Sequence, residues 1–225
     1  MKKGRRLAIK VLNAAKFILS FDAGDVLGIE SVTEPIDLGM LASLDRVVAE
    51  ATAALDSYDH ARALETIEAF FWTFCDDYLE LVKERAYDLE AGAAGVSAIA
   101  ALRVALDTLL RLLAPVLPFA TEEAWSWSHS DSVHLAPWPS ASGVVGSDRI
   151  LSVVGEALIG IRRAKTDAKV SQKAPVTSAR ITGPQDVIDL IALATDDLAA
   201  VGRIASVSHS PGGDAITVEV ELGTE

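Results

Sequence analysis

The sequence predicts a mainly α fold: an antiparallel helical bundle followed by a small α+β unit. Three observations predict it. Ala and Leu dominate the first two thirds and aromatic residues are only 6%, which favours helices over a β architecture. Apolar residues recur at three- and four-residue spacing in successive stretches separated by Gly, Pro and Asp-Ser turns. Beyond about position 148 the pattern changes class, and short alternating stretches read as strands. A chain of 225 residues, 50% hydrophobic and 23% charged, is long enough to bury a core as one or two domains and too apolar for gross disorder.

The first helix is expected over 2–21. Leu7, Val11, Ala14 and Ile18 share a face with Ala8, Leu12, Ala15 and Leu19, and that side packs. Lys3, Arg6, Lys10, Asn13 and Phe17 line up on the other side, flanked by Arg5 and Lys16. Cations hold phosphates, an amide reads base edges and a ring stacks on an unpaired base, so the stripe is equipped for single-stranded RNA. The alternative is a solvated basic face whose Phe tucks beneath a neighbouring loop. Gly24, Asp25, Gly28 and Pro35 mark the loop that follows.

A second helix is expected over 37–57 and, after a turn at Asp56-Ser57-Tyr58-Asp59, a third over 60–88 with Asp59 as its N-cap. Phe70, Phe71, Trp72, Phe74 and Tyr78 crowd the centre of this third helix, which implies contact with several helices at once. Gly92 and Gly95 break the chain before a fourth helix over 97–113, which Pro115 and Pro118 stop. A fifth helix over 121–127 takes Thr121 as its candidate cap. These elements make a bundle over 1–127. Residues 128–147 are rich in Ser, Pro, Gly, His and Trp and read as a strap packed back on the bundle, with Trp138 as anchor. The unit 148–225 then reads as helix (148 to about 169), strand (176–182), helix (185–200) and two strands (204–209 and 216–222). The last two strands are expected to pair as a hairpin through Ser210-Pro211-Gly212-Gly213-Asp214.

The formal charge is −12, but it is not evenly spread. Eleven of the twenty Lys and Arg residues lie in two runs, Lys2 to Lys16 and Arg162 to Lys173, and such segregation permits a local phosphate-binding surface on an acidic protein. In the second run Arg162, Arg163, Lys165, Lys169 and Lys173 either grip backbone phosphate or form the exposed end of a helix, where cations suit the carbonyl terminus. Lys10, Asn13 and Lys16 interrupt any apolar signal core near the start, and no segment reads as a membrane span. The lone cysteine, Cys75, is expected as a small buried hydrophobe in a reducing, cytoplasmic compartment.

No catalytic residue is expected. His60, His129, His134 and His209 are scattered, and neither a Gly-rich phosphate loop nor a nucleophile motif occurs. Asp76, Asp77 and Glu80 read as a salt-bridged face, with Lys83 and Arg85 at hand, rather than a metal site. Trp72, Trp125, Trp127 and Trp138 are expected to pack the bundle and its strap rather than to stack on RNA.

GRRLAIKVLNAAKFIL at 4–19, FFWTFCDDYLELVKERAY at 70–87, LAPVLPFATEEAW at 113–125, VHLAPWP at 133–139 and IRRAKTDAKVSQKAPV at 161–176 resemble, in order and spacing, the carboxy-terminal part of valyl-tRNA synthetases. The resemblance covers nearly the whole chain. It implies the anticodon-binding bundle of the class Ia synthetases, also shared by isoleucyl and leucyl enzymes. It implies a fragment of a longer ligase that joins valine to its tRNA through an ATP-derived adenylate, with magnesium. Neither of that family's two nucleotide-binding motifs occurs here, so no cofactor is expected in this fragment and no activity from it alone. The implied partners are the anticodon stem-loop of valine tRNA and an upstream catalytic domain of the same polypeptide, without a membrane and as a monomer. On this reading Arg6, Lys10 and Asn13 face the stem-loop, Phe17 stacks on a base, and Arg5 and Lys16 hold phosphates, as do Arg162, Arg163, Lys165 and Lys169. Two rivals are the equivalent region of an isoleucyl or related enzyme, and a helical module that binds protein rather than RNA.

Overall fold

Helix α1, Lys2–Leu19, buries Leu7, Val11, Ala14, Ala15 and Ile18, the residues its spacing puts on one face. The computed structural model describes residues 2–21, 28–88 and 92–223, so the loop markers Gly24 and Asp25 lie outside the described residues. Helix α2, Pro35–Asp56, starts on a proline, whose fixed φ suits the first helical position and whose missing N–H costs nothing there. Asp59 caps α3, His60–Thr73, by accepting the Arg62 N–H at 3.0 Å, as its sequence position predicts.

The expected third helix runs on to Tyr87, but not in one register. A five-residue π turn, Phe74–Tyr78, separates α3 from α4, Leu79–Tyr87. The extra residue lets Phe74, Cys75 and Tyr78 all turn inward while Asp76 stays exposed. Helix α5, Gly92–Leu113, starts earlier than expected: Gly92, at φ +57°, opens it and Gly95 is buried inside it rather than breaking it. This helix is the axis of the bundle, in contact with α1, α2, α3, α4 and α6, Pro118–Ser126. Among the described residues α5 alone is long and apolar enough to cross a membrane, and it is a core helix whose Ala and Leu side chains pack inside the protein. Helix α6 begins three residues before the expected Thr121 cap. Pro118 takes the first position, and the Thr121 hydroxyl instead donates back to the Leu117 carbonyl at 3.0 Å.

The segment after α6 lies against the bundle. Val133 is buried, the Trp138 indole N–H donates to Thr52 Oγ1 at 2.9 Å, and Asp45 accepts the Ser142 and Gly143 N–H groups at 2.7 and 2.9 Å. At its end the chain crosses α2 so closely that a Cβ on Gly146 would stand 2.6 Å from the Leu38 carbonyl carbon, which requires glycine there.

Helix α7, Ile150–Asp167, leads into β1, Val176–Gly183. The single helix expected over 185–200 is two, α8 (Gln185–Ala192) and α9 (Thr195–Gly202), followed by β2, Val207–Pro211, and β3, Thr217–Leu222. The expected β2–β3 hairpin does not form. The sheet order is β2-β1-β3, with β1 parallel to β2 (Ala179 opposite Val207) and antiparallel to β3 (Ala179 opposite Val220). Strand β1 supplies the fully buried Val176, Ala179 and Ile181 and so takes the centre, while the alternating edge strands cover only one face each. The α8–α9 crossover is what makes a parallel neighbour of β2.

A buried ion cluster ties this unit to the bundle. The Arg85 guanidinium donates to both carboxylate oxygens of Asp37 on α2 at 2.9 Å, to Asp197 on α9 at 2.9 and 3.0 Å, and to the Ala94 carbonyl at 2.6 Å. Asp37, wholly enclosed, also accepts the Tyr78 hydroxyl at 2.8 Å and the Ser97 hydroxyl at 2.6 Å. Arg85 therefore points inward and does not pair with the Asp76–Glu80 face as its sequence neighbourhood suggests, whereas Lys83 does pair with Glu80 at 2.6 Å.

Candidate nucleic-acid interface

The polar side of α1 faces water. Arg5, Arg6, Asn13 and Lys16 are exposed, and among the described residues Arg5, Arg6 and Lys16 make no ion pair. On a chain of charge −12, three uncompensated cations on one helix face form a local positive field. Lys10 is different: its ammonium bonds Asp76 Oδ1 at 2.8 Å, and that hydrogen bond raises its pKa although partial burial opposes the shift. Both Arg6 and Lys10 lie over the Trp72 ring, at 4.8 and 5.8 Å from its centroid, a cation–π arrangement between α1 and α3. Trp72 thus packs against the core, as expected, and also carries two cations of α1 over its ring. Its spacing from Asp76 on the same helix was the available signal.

Phe17 is only half available. It is partly buried and meets Phe21 and Tyr87 edge to face, with centroids 5.0 and 5.8 Å away. The ring left in the open by this cluster is Tyr87, 58% exposed, which sequence reasoning placed in a motif without assigning it to the site. At the carboxyl end of α1 lies an open cleft of about 900 Å³, lined by Phe21, Arg103, Arg111, His129 and Ser142 among others. Arg103 donates to the Phe21 and Leu19 carbonyls at 2.9 and 3.4 Å, closing the helix end with positive charge. Among the described residues it has no carboxylate partner, and its Nε is buried with no hydrogen bond. Desolvation pulls its pKa down.

The π turn brings the second basic run towards the first. Asp76 binds Lys10 of α1, while Asp77, the next residue, is pushed up in pKa by burial and drawn back down by Arg162 of α7. The other members separate. Arg163, Lys169 and Lys173 are exposed at or beyond the end of α7, and Lys169 stands in the left-handed region at φ 57°. Lys165 does not belong with them. It is 1% exposed, and its ammonium donates to the carbonyls of Gln172, Ala174 and Gly202 at 3.1, 2.8 and 2.8 Å. Those bonds pin the turn after α7 and the end of α9, so this cation has a structural duty and no access to phosphate. Burial lowers its pKa, and the nearby Arg203 adds to the shift.

Cys75 is buried and burial pushes its thiol up to about 12, the behaviour of a packed hydrophobe. Trp125 is in the core, with His129 stacked on it at 3.7 Å. Among the described residues no group of three or more His, Cys, Asp or Glu side chains could hold a metal ion.

Residues 37–181 match the family model described as the anticodon-binding domain of tRNA ligase. That stretch holds the π turn, α5, the strap, α7 and part of β1, whereas the cationic helix α1 precedes it. Over 226 residues and 99% of its length the chain is 58% identical to the valine–tRNA ligase of Leifsonia xyli subsp. xyli. It is 51% identical to that of Thermobifida fusca and 49% identical to that of Cutibacterium acnes, again over 99% of its length. The chain spans about a quarter (26%) of the length of each of these curated relatives.

Proposed function

Because the chain belongs to the family of tRNA-ligase anticodon-binding domains, we propose that it is the tRNA-recognition part of a valine–tRNA ligase. Its work is to hold the anticodon stem-loop of valine tRNA so that the distant acceptor end enters a catalytic domain of the same polypeptide. Arg5, Arg6 and Lys16 hold phosphates, and Asn13 offers an amide to a base edge. Lys10 is already engaged by Asp76, so it meets RNA only by exchanging a carboxylate for a phosphate. With Phe17 half covered, the open ring available for stacking is Tyr87, and the Arg103 cleft is wide enough for an unstacked nucleotide. Arg162, Arg163 and Lys169 extend the backbone contact from α7.

The ligation chemistry, with ATP and magnesium, is assigned to the remainder of such a ligase.

The observation that carries this reading is the face of α1: cations without carboxylate partners on an acidic, family-matched bundle. Filter binding of valine tRNA over a series of salt concentrations tests it. Each of Arg5→Ala and Lys16→Ala is expected to flatten the log K against log salt slope by about 0.7–0.9, the contribution of one phosphate contact. Wild-type slopes for both variants, or equal affinity for valine tRNA and for the same tRNA with a changed anticodon, would refute it.

A further inference from the structure

The start of α6 and the strap carry an apolar patch that the RNA reading does not use. Phe119 is 91% exposed, Leu135 83% and Val116 43%. They lie together, because a ring nitrogen of His134 stands 3.2 Å from the Pro118 carbonyl, within one residue of both Leu135 and Phe119. The patch is not a floppy loop. Glu122 accepts the Val133 N–H at 3.0 Å and the Ser132 hydroxyl at 2.9 Å, Val133 is buried, and α6 is packed along α1 and α5. Large apolar side chains held side by side on a rigid surface mark a contact with another protein surface.

The charge of this segment argues against RNA as the occupant. No Lys or Arg occurs between Arg111 and Arg149, while Glu122, Glu123 and Asp131 fall inside that interval, so the segment that carries the patch supplies phosphate with no cation of its own; Arg111 reaches it only at the Pro137 carbonyl, 3.3 Å away. The relatives argue for what does occupy it: this chain matches only 26% of their length, and the other three quarters of such a ligase must seat on, or hang from, a unit of this kind.

We propose that Phe119, Leu135 and Val116 form the seat on which the remainder of the ligase polypeptide docks in cis. The inference rests on the chain being part of a longer ligase, and not on which side chains touch RNA. The seat fixes the angle between the anticodon-binding bundle and the rest of the enzyme, and an apolar contact leaves the basic ridge on α1 free for RNA.

Hydroxyl-radical footprinting, read by mass spectrometry without RNA, compares this chain with the full-length ligase that contains it. Phe119 and Leu135 are expected to lose roughly tenfold in oxidation rate in the full-length protein, as side chains entering an interface core do. Tyr58, 85% exposed at the α2–α3 turn, keeps its rate. Phe119→Ser in the full-length ligase restores the reactivity of Leu135. In this chain alone, Phe119→Ser leaves valine tRNA binding unchanged, which separates the seat from the RNA surface. Equal Phe119 rates in the two proteins overturn the proposal. So does protection that grows with concentration in the isolated chain, which would mean a second copy, or loss of tRNA binding in a folded Phe119→Ser chain.

Discussion

Arg85→Met removes the one cation that sits between two buried carboxylates. The magnitude follows from what each carboxylate keeps. Asp37 is 0% exposed but retains the Tyr78 and Ser97 hydroxyls as donors. Asp197, 8% exposed, loses both of its bonds to Arg85. Breaking a buried pair by removing one partner costs about 3–5 kcal/mol, and the two donors left on Asp37 put the expected loss at the lower end, about 3 kcal/mol. Against a total stability of roughly 5–15 kcal/mol that is a large fraction. Urea unfolding at pH 7, followed by tryptophan fluorescence, measures it. The sign of the pH dependence is fixed as well. Even in the wild type, burial raises the Asp197 pKa, with Arg85 opposing, so the native state binds its proton more readily than the unfolded chain does. That contribution is present at low pH and is lost as pH rises through the folded-state pKa. Without the guanidinium the folded pKa rises further, and the gap between variant and wild type shrinks as pH falls from 7 towards about 4. Arg85→Met/Asp37→Asn/Asp197→Asn recovers most of the loss. A variant within about 0.5 kcal/mol of wild type at pH 7, a shift no larger than that of an ordinary surface substitution, or a gap that widens in acid, refutes the reasoning.

Asp76→Asn releases Lys10, and filter binding of valine tRNA at low salt is expected to tighten by a few-fold, with a steeper salt dependence. Lys165→Met takes a donor from the Gln172, Ala174 and Gly202 carbonyls and is expected to lower stability by about 1–3 kcal/mol in urea unfolding; where the protein stays folded, its tRNA salt slope matches wild type, whereas that of Lys169→Ala is flatter. Cys75, with its thiol near 12, is expected to react with a disulfide reagent at pH 8 only after denaturant is added, on the timescale of unfolding.

The helices were legible because their signal is local. The spacing of Leu7, Val11 and Ile18 and the cap at Asp59 need only neighbours within a turn, and both are found as read. Where the outcome depended on what arrives from elsewhere, the reading failed. Lys165 sits in a run of cations, and only the approach of 172–174 and Gly202 turns it inward. The alternation in β2 and β3 is what a hairpin requires, yet it is equally what two edge strands show when a third strand lies between them. Phe17 has the right position on α1 for a stacking ring, but Phe21 and Tyr87, from the end of α1 and from α4, half cover it. Arg85 looked like part of a surface acid–base face because Asp76, Asp77 and Glu80 are its near neighbours in sequence, and only Asp37 of α2 and Asp197 of α9, far away along the chain, hold it inward.

The π turn has a further consequence. A helical residue advances the direction of a side chain by about 100°, so one surplus residue between Thr73 and Leu79 offsets everything downstream by that angle. Upstream, Trp72 looks towards α1; downstream, Arg85 looks towards Asp37 and Asp197. Deleting a single residue from 74–78 would restore an unbroken ladder of backbone bonds and swing one of those two directions out of alignment. The rod that α3 and α4 form is therefore tuned like a key with two bits cut at different angles, and its irregular turn is the cut that lets it fit both locks.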